Sequence, residues 1–183
     1  MNNSKKISIV VAATSSGGIG FDNKLPWNIP DDLRNFKRIT SFVNDKCKKN
    51  AIIMGRTTWE SLPNKPLQNR LNIILTNDID YNIDDKYKSD VIISYGIQDA
   101  LMYCDADNIE NIFIIGGEQI YKLILNDYSG MIDKIYLSII LKNYECNKFI
   151  DINNIFENYK ILSEDINIYD EYTTVIARNY NNI

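Results

Sequence analysis

The chain has 183 residues, 45% of them hydrophobic, with four prolines, no histidine and a formal net charge of −4. That size sustains one domain with a full core, and the acidic balance argues against non-specific nucleic-acid binding. Without histidine there are no Ser-His or Cys-His nucleophiles, no His-ligated zinc and no imidazole acid–base catalysis, so proton chemistry falls to Asp, Glu, Lys, Tyr, Cys or water.

Three cysteines, Cys47, Cys104 and Cys146, lie far apart and are odd in number, which fits a reducing, cytoplasmic compartment and no metal cage. No apolar run approaches membrane-spanning length. Lys5-Lys6 followed by Ile7–Ala13 superficially resembles a signal peptide. The apolar stretch is short, however, is broken by Ser8 and leads straight into a Gly-rich segment, so it reads as a first buried strand. Heavy use of Asn and Ile throughout fits coding bias in an AT-rich genome.

In chain order, β-branched runs predict strands at Ile7–Ala13, Ala51–Met54, Leu71–Leu75, Val91–Ser94, Ile112–Ile115, Lys134–Leu141, Tyr159–Leu162 and Tyr172–Arg178. Helical spacing predicts helices at Asp31–Phe42, Arg56–Ser61, Ile97–Tyr103 and Glu118–Leu125. Strands and helices alternate to about residue 125. The fold class is therefore α/β, a single domain spanning 1–183, with a mixed, eight-stranded, mostly parallel sheet and helices on both faces. The last three strands show no intervening helix and should form an antiparallel edge. Asn77–Asp90 reads as a solvated loop and Asn179–Ile183 as a loose end. No exposed apolar repeat calls for a partner, so a monomer is expected.

Four constellations carry chemistry. The first lies in Gly18–Phe36, where a Gly-rich segment meets Leu25-Pro26-Trp27 and a helix opens at Pro30. Asp32, Phe36 and Thr40 share one face of that helix, flanked by Leu33 and Ile39. An acid in a first helical turn can simply complement the dipole, but Asp31 can do that from outside. Asp32 is left on an apolar stripe. There it should have a raised pKa, and it suits a ligand with two adjacent N–H donors. The second is Met54-Gly55-Arg56-Thr57-Thr58-Trp59, a strand passing through glycine into a helix start with donors suited to phosphate; alone it also reads as an ordinary turn with an exposed arginine. The third, Ile114-Ile115-Gly116-Gly117-Glu118-Gln119-Ile120-Tyr121, repeats that grammar without the Gly-x-Gly-x-x-Gly fingerprint. Together the two glycine junctions point to a dinucleotide laid across adjacent strand ends. The fourth is Arg70, either solvated at a strand start or placed to bind a carboxylate at the pocket's rim.

Taken in order, Val10-Val11-Ala12, Gly18-Ile19-Gly20, Leu25-Pro26-Trp27, Asp32 with Leu33 and Phe36, Thr40, Ile53-Met54-Gly55-Arg56, Thr58-Trp59, Pro66-Leu67, Arg70, Ile115-Gly116-Gly117, Tyr121 and Phe149 resemble the dihydrofolate reductases over nearly the whole chain. The resemblance implies NADPH-dependent reduction of 7,8-dihydrofolate to tetrahydrofolate, supporting one-carbon metabolism and thymidylate synthesis and offering an antifolate target. It gives Asp32 the pterin's 2-amino group and N3 and the promotion of N5 protonation. Trp27 would position a water, and Ser138 would stand in for the family's usual threonine. Val10, Val11, Leu25, Leu33, Phe36, Leu62, Leu67 and Ile115 would surround the substrate rings, and Arg70 would hold its α-carboxylate. Ala12, Ile19, Gly20, Ile115 and Tyr121 would line the nicotinamide pocket. Gly55, Arg56, Thr57, Thr58, Leu75, Thr76, Asn77 and Gly116 through Ile120 (Gly117, Glu118 and Gln119 between them) would take the rest of the cofactor. The Gly116–Gly117 bond should be cis, and Ser15–Lys24 should be a mobile lid.

Two departures bear on these expectations. Many relatives carry an Asp-Thr pair before the phenylalanine matching Phe149; here Cys146-Asn147 precede it and Ile150 replaces a proline. The lid should therefore be looser or held by different contacts, with altered kinetics and retained activity. Around the cofactor's 2′-phosphate, Asn77, Tyr95 and Gln119 add no cation to Arg56, which narrows the margin of NADPH over NADH. The rival enzymatic reading is the pyrimidine reductase of riboflavin synthesis; a folate- or RNA-binding relative without turnover and a thymidylate synthase fusion are the others. Trp27, Asp32, Arg70 and Tyr121 favour an active folate enzyme, and the length reads as free-standing.

Overall fold

The computed structural model describes residues 5–180. Eight strands form one sheet, in the order β5-β4-β3-β6-β1-β7-β10-β9. They are β1 (Ile7–Thr14), β3 (Lys49–Gly55), β4 (Arg70–Leu75), β5 (Val91–Ser94), β6 (Ile109–Ile114), β7 (Ile132–Ile140), β9 (Lys160–Ile168) and β10 (Tyr172–Arg178). Strands β5 to β7 run parallel, whereas β10 is antiparallel to both β7 and β9. The mostly parallel sheet and its antiparallel edge are as the sequence predicts.

The isoleucine-rich strands interlock in register. Ile73, Ile53, Ile114, Ile9 and Ile135 are successive partners across five strands, and all five are fully buried. Each such side chain contributes about 1.5–3 kcal/mol relative to an exposed one. Because side chains alternate along a strand, one sheet face takes Ile9, Ala51, Ile53, Ile112 and Ile114, and the other takes Val10, Ile52, Met54 and Phe113. The first face is covered by α3 (Ile97–Cys104), α4 (Glu118–Asp127) and α5 (Ile152–Asn158); the second by α1 (Pro30–Ser41) and α2 (Arg56–Ser61). Helices thus cover both faces, as expected from β-branched strands buried on two sides.

Three expectations need correction. Helix α5 lies between β7 and β9, where no helix is expected; three of its seven residues are asparagines, which favour turns, and Asp151 accepts from the Asn154 N–H at the N-cap. Strand β9 runs to Ile168 rather than ending at Leu162, because as an edge strand it is exposed on one side and lacks an apolar run. The Asn179–Ile183 segment is not loose at its start: the Asn179 amide nitrogen donates to the Ile132 carbonyl at 3.0 Å. Residues 181–183 lie outside the described ones. A second, two-stranded sheet of β2 (Gly18–Gly20) and β8 (Lys148–Phe149) was also not anticipated.

Candidate active site

A cleft of about 1300 Å³ opens along the carboxyl ends of β1, β3, β4, β6 and β7. It lies where β6 separates β1 from β3, a place at which open α/β sheets bind ligands. A single drug-sized ligand needs roughly 300–1,000 Å³, so there is room for two molecules side by side.

Asp32 sits in the first turn of α1 and is only 7% exposed, on the cleft wall. Pro30 opens the helix, and Asp31 pairs outward with Arg34, so the dipole is served without Asp32. Burial pushes the Asp32 carboxyl above the ordinary value near 3.8, and the Ser138 hydroxyl facing it from β7 pulls it partly back. Phe36 and Ile39 continue the wall. Leu25 and Leu33, 51% and 48% exposed, line it too, and exposed apolar residues of this kind mark a ligand surface. Leu33 therefore faces the cleft and is not part of a buried stripe.

Trp27 lies behind this wall, 6% exposed and packed with Ile29, Ile140 and Tyr172, its ring 5.6 Å from that of Tyr144. Its indole N–H is buried with no partner among the described residues. A buried N–H of this kind is the mark of a bound water or ligand oxygen.

The two glycine junctions meet each other. The Gly55 N–H donates to the Gly116 carbonyl at 2.7 Å, and a Cβ on Gly117 would stand 3.2 Å from the Thr58 hydroxyl. Gly116 adopts φ +101°, and the bond to Gly117 is cis, as expected. Tyr121 packs closely against Gly116 and donates to the Val10 carbonyl at 2.9 Å; its burial pushes the phenol far above its usual pKa. Helix α4 starts after Gly117 with no capping side chain, so its first N–H groups are available at the cleft, a seat for an anionic group.

Most of the residues expected from the sequence are brought together in this wall: Val10, Val11, Ala12, Ile19 and Gly20 on one side, Gly55, Arg56, Thr57, Thr58 and Leu62 on another, and Leu75, Thr76, Asn77, Ile115 and Gly117 to Tyr121 beyond. Four are not. Trp27 and Gly116 lie immediately behind it, and Leu67, partly buried, packs against the core. Arg70 is 4% exposed; its Nε donates to the Gln68 carbonyl at 3.0 Å and its Nη1 to the Thr40 hydroxyl at 2.7 Å. Glu118 also differs: one carboxylate oxygen accepts the Phe149 N–H at 3.0 Å, so its side chain braces β8. Residues the sequence reading did not single out include Lys24, Asn35, Asp78, Tyr136 and Lys148. Tyr136 was findable, since it stands two positions before Ser138 on the same face of β7; Lys148 had no local signal.

The segment expected to act as a lid is held by contacts around β8. Gly18 and Gly20 pair with β8, the Asn147 side chain donates to Asp22 at 2.8 Å, and the Ile150 N–H donates to the Gly17 carbonyl at 2.8 Å. A proline at 150 could not make that last bond.

The model of a known family, dihydrofolate reductase, matches residues 6–180. The chain belongs to the dihydrofolate reductase family. It is 36% identical over 173 residues to the dihydrofolate reductase of Aedes albopictus, covering 91% of this chain and 89% of that protein. The enzyme of Heliothis virescens is 35% identical over 147 residues, 79% and 78% of the two chains. A bifunctional dihydrofolate reductase-thymidylate synthase of Daucus carota is 40% identical over 152 residues, of which this chain spans 28%. As a dihydrofolate reductase-family oxidoreductase, the chain uses a nicotinamide cofactor, and the cleft fits one: Arg56, Thr57, Thr58 and the uncapped start of α4 line it together, donors suited to a dinucleotide's phosphates.

Proposed function

We propose that the protein reduces 7,8-dihydrofolate to 5,6,7,8-tetrahydrofolate with NADPH. The observation that carries this reading is Asp32, a buried carboxylate with a raised pKa on an apolar wall of the same cleft that the uncapped start of α4 lines. A bound nicotinamide supplies hydride from its C4. The chain supplies position, dryness and one route for a proton.

Asp32 would accept the paired N–H donors of the pterin's amino-pyrimidine edge, with Ser138 donating to the carboxylate. The Trp27 N–H would hold a water beside that edge, giving the pterin N5 a proton source without histidine. Tyr121, Ala12 and Ile115 would set the nicotinamide face, with Tyr121 fixed by Val10. Leu25, Leu33, Phe36 and Leu62 would cover the substrate rings. Arg70 retains donors beyond those given to Gln68 and Thr40, and the substrate's carboxylate is the group they would take. Closure of the 15–24 lid would exclude water. Arg56, Thr58 and the α4 terminus would hold the phosphates.

The same reading has the protein acting as a cytoplasmic monomer that feeds thymidylate synthesis; three free cysteines fit a reducing compartment. The test follows loss of reduced-nicotinamide absorbance on adding dihydrofolate, with size-exclusion chromatography for the oligomeric state. Folded protein that binds NADPH but shows no turnover would overturn the enzyme reading.

A further inference from the structure

At the far end of the cleft, α2 begins beside the loop that follows β4. Arg56 Nη1 lies 3.1 Å from Asp78 Oδ2, and its Nε lies 3.9 Å from Glu60. The guanidinium also rests over the Tyr81 ring, 5.5 Å from its centroid. Asp78 is not a passing neighbour. Its second carboxylate oxygen accepts the Asp80 N–H at 3.1 Å, and its own N–H donates to the Thr76 hydroxyl at 3.1 Å. The turn therefore aims the first oxygen at Arg56.

Among the described residues lining the cleft, the cations are Lys24, Arg56 and Lys148, and Lys24 and Lys148 belong to the lid and β8. Around Arg56 the wall continues with Thr76, Asn77, Tyr95 and Gly96, which bring donors but no charge. One cation is thus shared between two carboxylates. A 2′-phosphate, carrying about −1.5 to −2 at neutral pH, has to compete with Asp78 for Arg56 and sit beside its charge. A 2′-hydroxyl meets no such penalty and can donate to the carboxylate.

We propose that Asp78 is a specificity residue: by holding Arg56 it narrows the preference for a 2′-phosphorylated cofactor over its unphosphorylated form. This rests on the reading that the cofactor's adenosine end lies at Arg56. The pair is half exposed, so the effect is moderate and screened by salt.

The test measures dissociation constants of NADP+ and NAD+ by titration calorimetry, with 2′,5′-ADP and 5′-AMP as probes lacking the nicotinamide. In Asp78→Asn, NADP+ and 2′,5′-ADP should bind about five-fold more tightly, with NAD+ and 5′-AMP changed less than about two-fold. The gain should shrink above about 0.5 M salt. Arg56→Gln should collapse the NADP+ advantage. A ratio unchanged in Asp78→Asn but collapsed in Arg56→Gln overturns the proposal alone. A ratio unchanged in Arg56→Gln overturns the placement of the phosphate, and the proposal with it. Position 78 is on the surface, so thermal melts of both variants should match the parent.

Discussion

Asn147 and Asp22 hold each other from both directions: the Asn147 amide donates to the Asp22 carboxylate at 2.8 Å while its carbonyl oxygen accepts the Asp22 N–H at 3.2 Å. Asp22 is at positive φ in the turn that closes the lid, and 125 residues separate the two. Asn147→Ala removes both bonds. The hydride-transfer rate in single-turnover stopped flow should fall about three- to ten-fold, on a cost of about 0.5–1.5 kcal/mol for such bonds, with little change in melting temperature. Asn147→Asp should be worse than alanine, since it sets two carboxylates against each other. A faster Asn147→Asp variant would sink this account.

Those contacts show where sequence reading ends. The departure at Cys146-Asn147 was visible, and so was the expectation that the lid would be held differently. The partner Asp22 was not, because pairing between a three-residue and a two-residue strand leaves no periodicity. The row Ile73–Ile53–Ile114–Ile9–Ile135 was legible strand by strand, each in a β-branched run, although its register was not. Asp32 could be found because helical spacing puts it on an apolar stripe. Arg70's burial could not, since it depends on Thr40, 30 residues away. The Arg56–Asp78 pair is similar: Arg56 was read as a phosphate ligand, and the acid that competes for it follows the strand next door.

Asp32→Asn should lower turnover at pH 7 by about 10²–10⁴-fold, measured as hydride-transfer rate with saturating ligands. Its effect on stability has the opposite sign. The folded-state pKa is raised above the unfolded value near 3.8, so the folded chain binds this proton more tightly. The stabilisation is complete below 3.8 and is lost as pH rises through the raised folded value. At neutral pH the buried carboxylate is therefore a cost, and the asparagine variant should melt higher than the parent. The gain should vanish as pH falls below the unfolded value. A variant that melts lower at pH 7 would contradict the assignment of Asp32 as a desolvated acid.

Trp27→Phe keeps an aromatic ring against Tyr144 and removes the unpartnered indole N–H. If that N–H holds a water for proton delivery, hydride transfer should slow about ten-fold and substrate affinity should fall by a similar factor. Stability should change little, since a buried donor without a protein partner is lost along with the indole's area. Stopped-flow transfer rates and equilibrium titration with dihydrofolate read the two effects separately. An unchanged rate would leave Trp27 as packing for Ile140 and Tyr172 alone.

Gly116→Ala tests the packing of the glycine junction against Tyr121. A Cβ there would stand 2.8 Å from two ring carbons of Tyr121 and 3.0 Å from its hydroxyl, and φ of +101° is one that alanine rarely adopts. Tyr121 cannot step aside cheaply, because its hydroxyl is bonded to the buried Val10 carbonyl. Backbone strain and the lost bond together should cost about 2–5 kcal/mol in denaturant unfolding, and dinucleotide binding should fall in step. Gly96→Ala is the control at the same cleft. Its φ of −166° is extended backbone and a Cβ would meet nothing within 4 Å, so stability should hold within about 0.5 kcal/mol. If both alanines were equally mild, the close approach of Tyr121 to Gly116 would not be what requires glycine there.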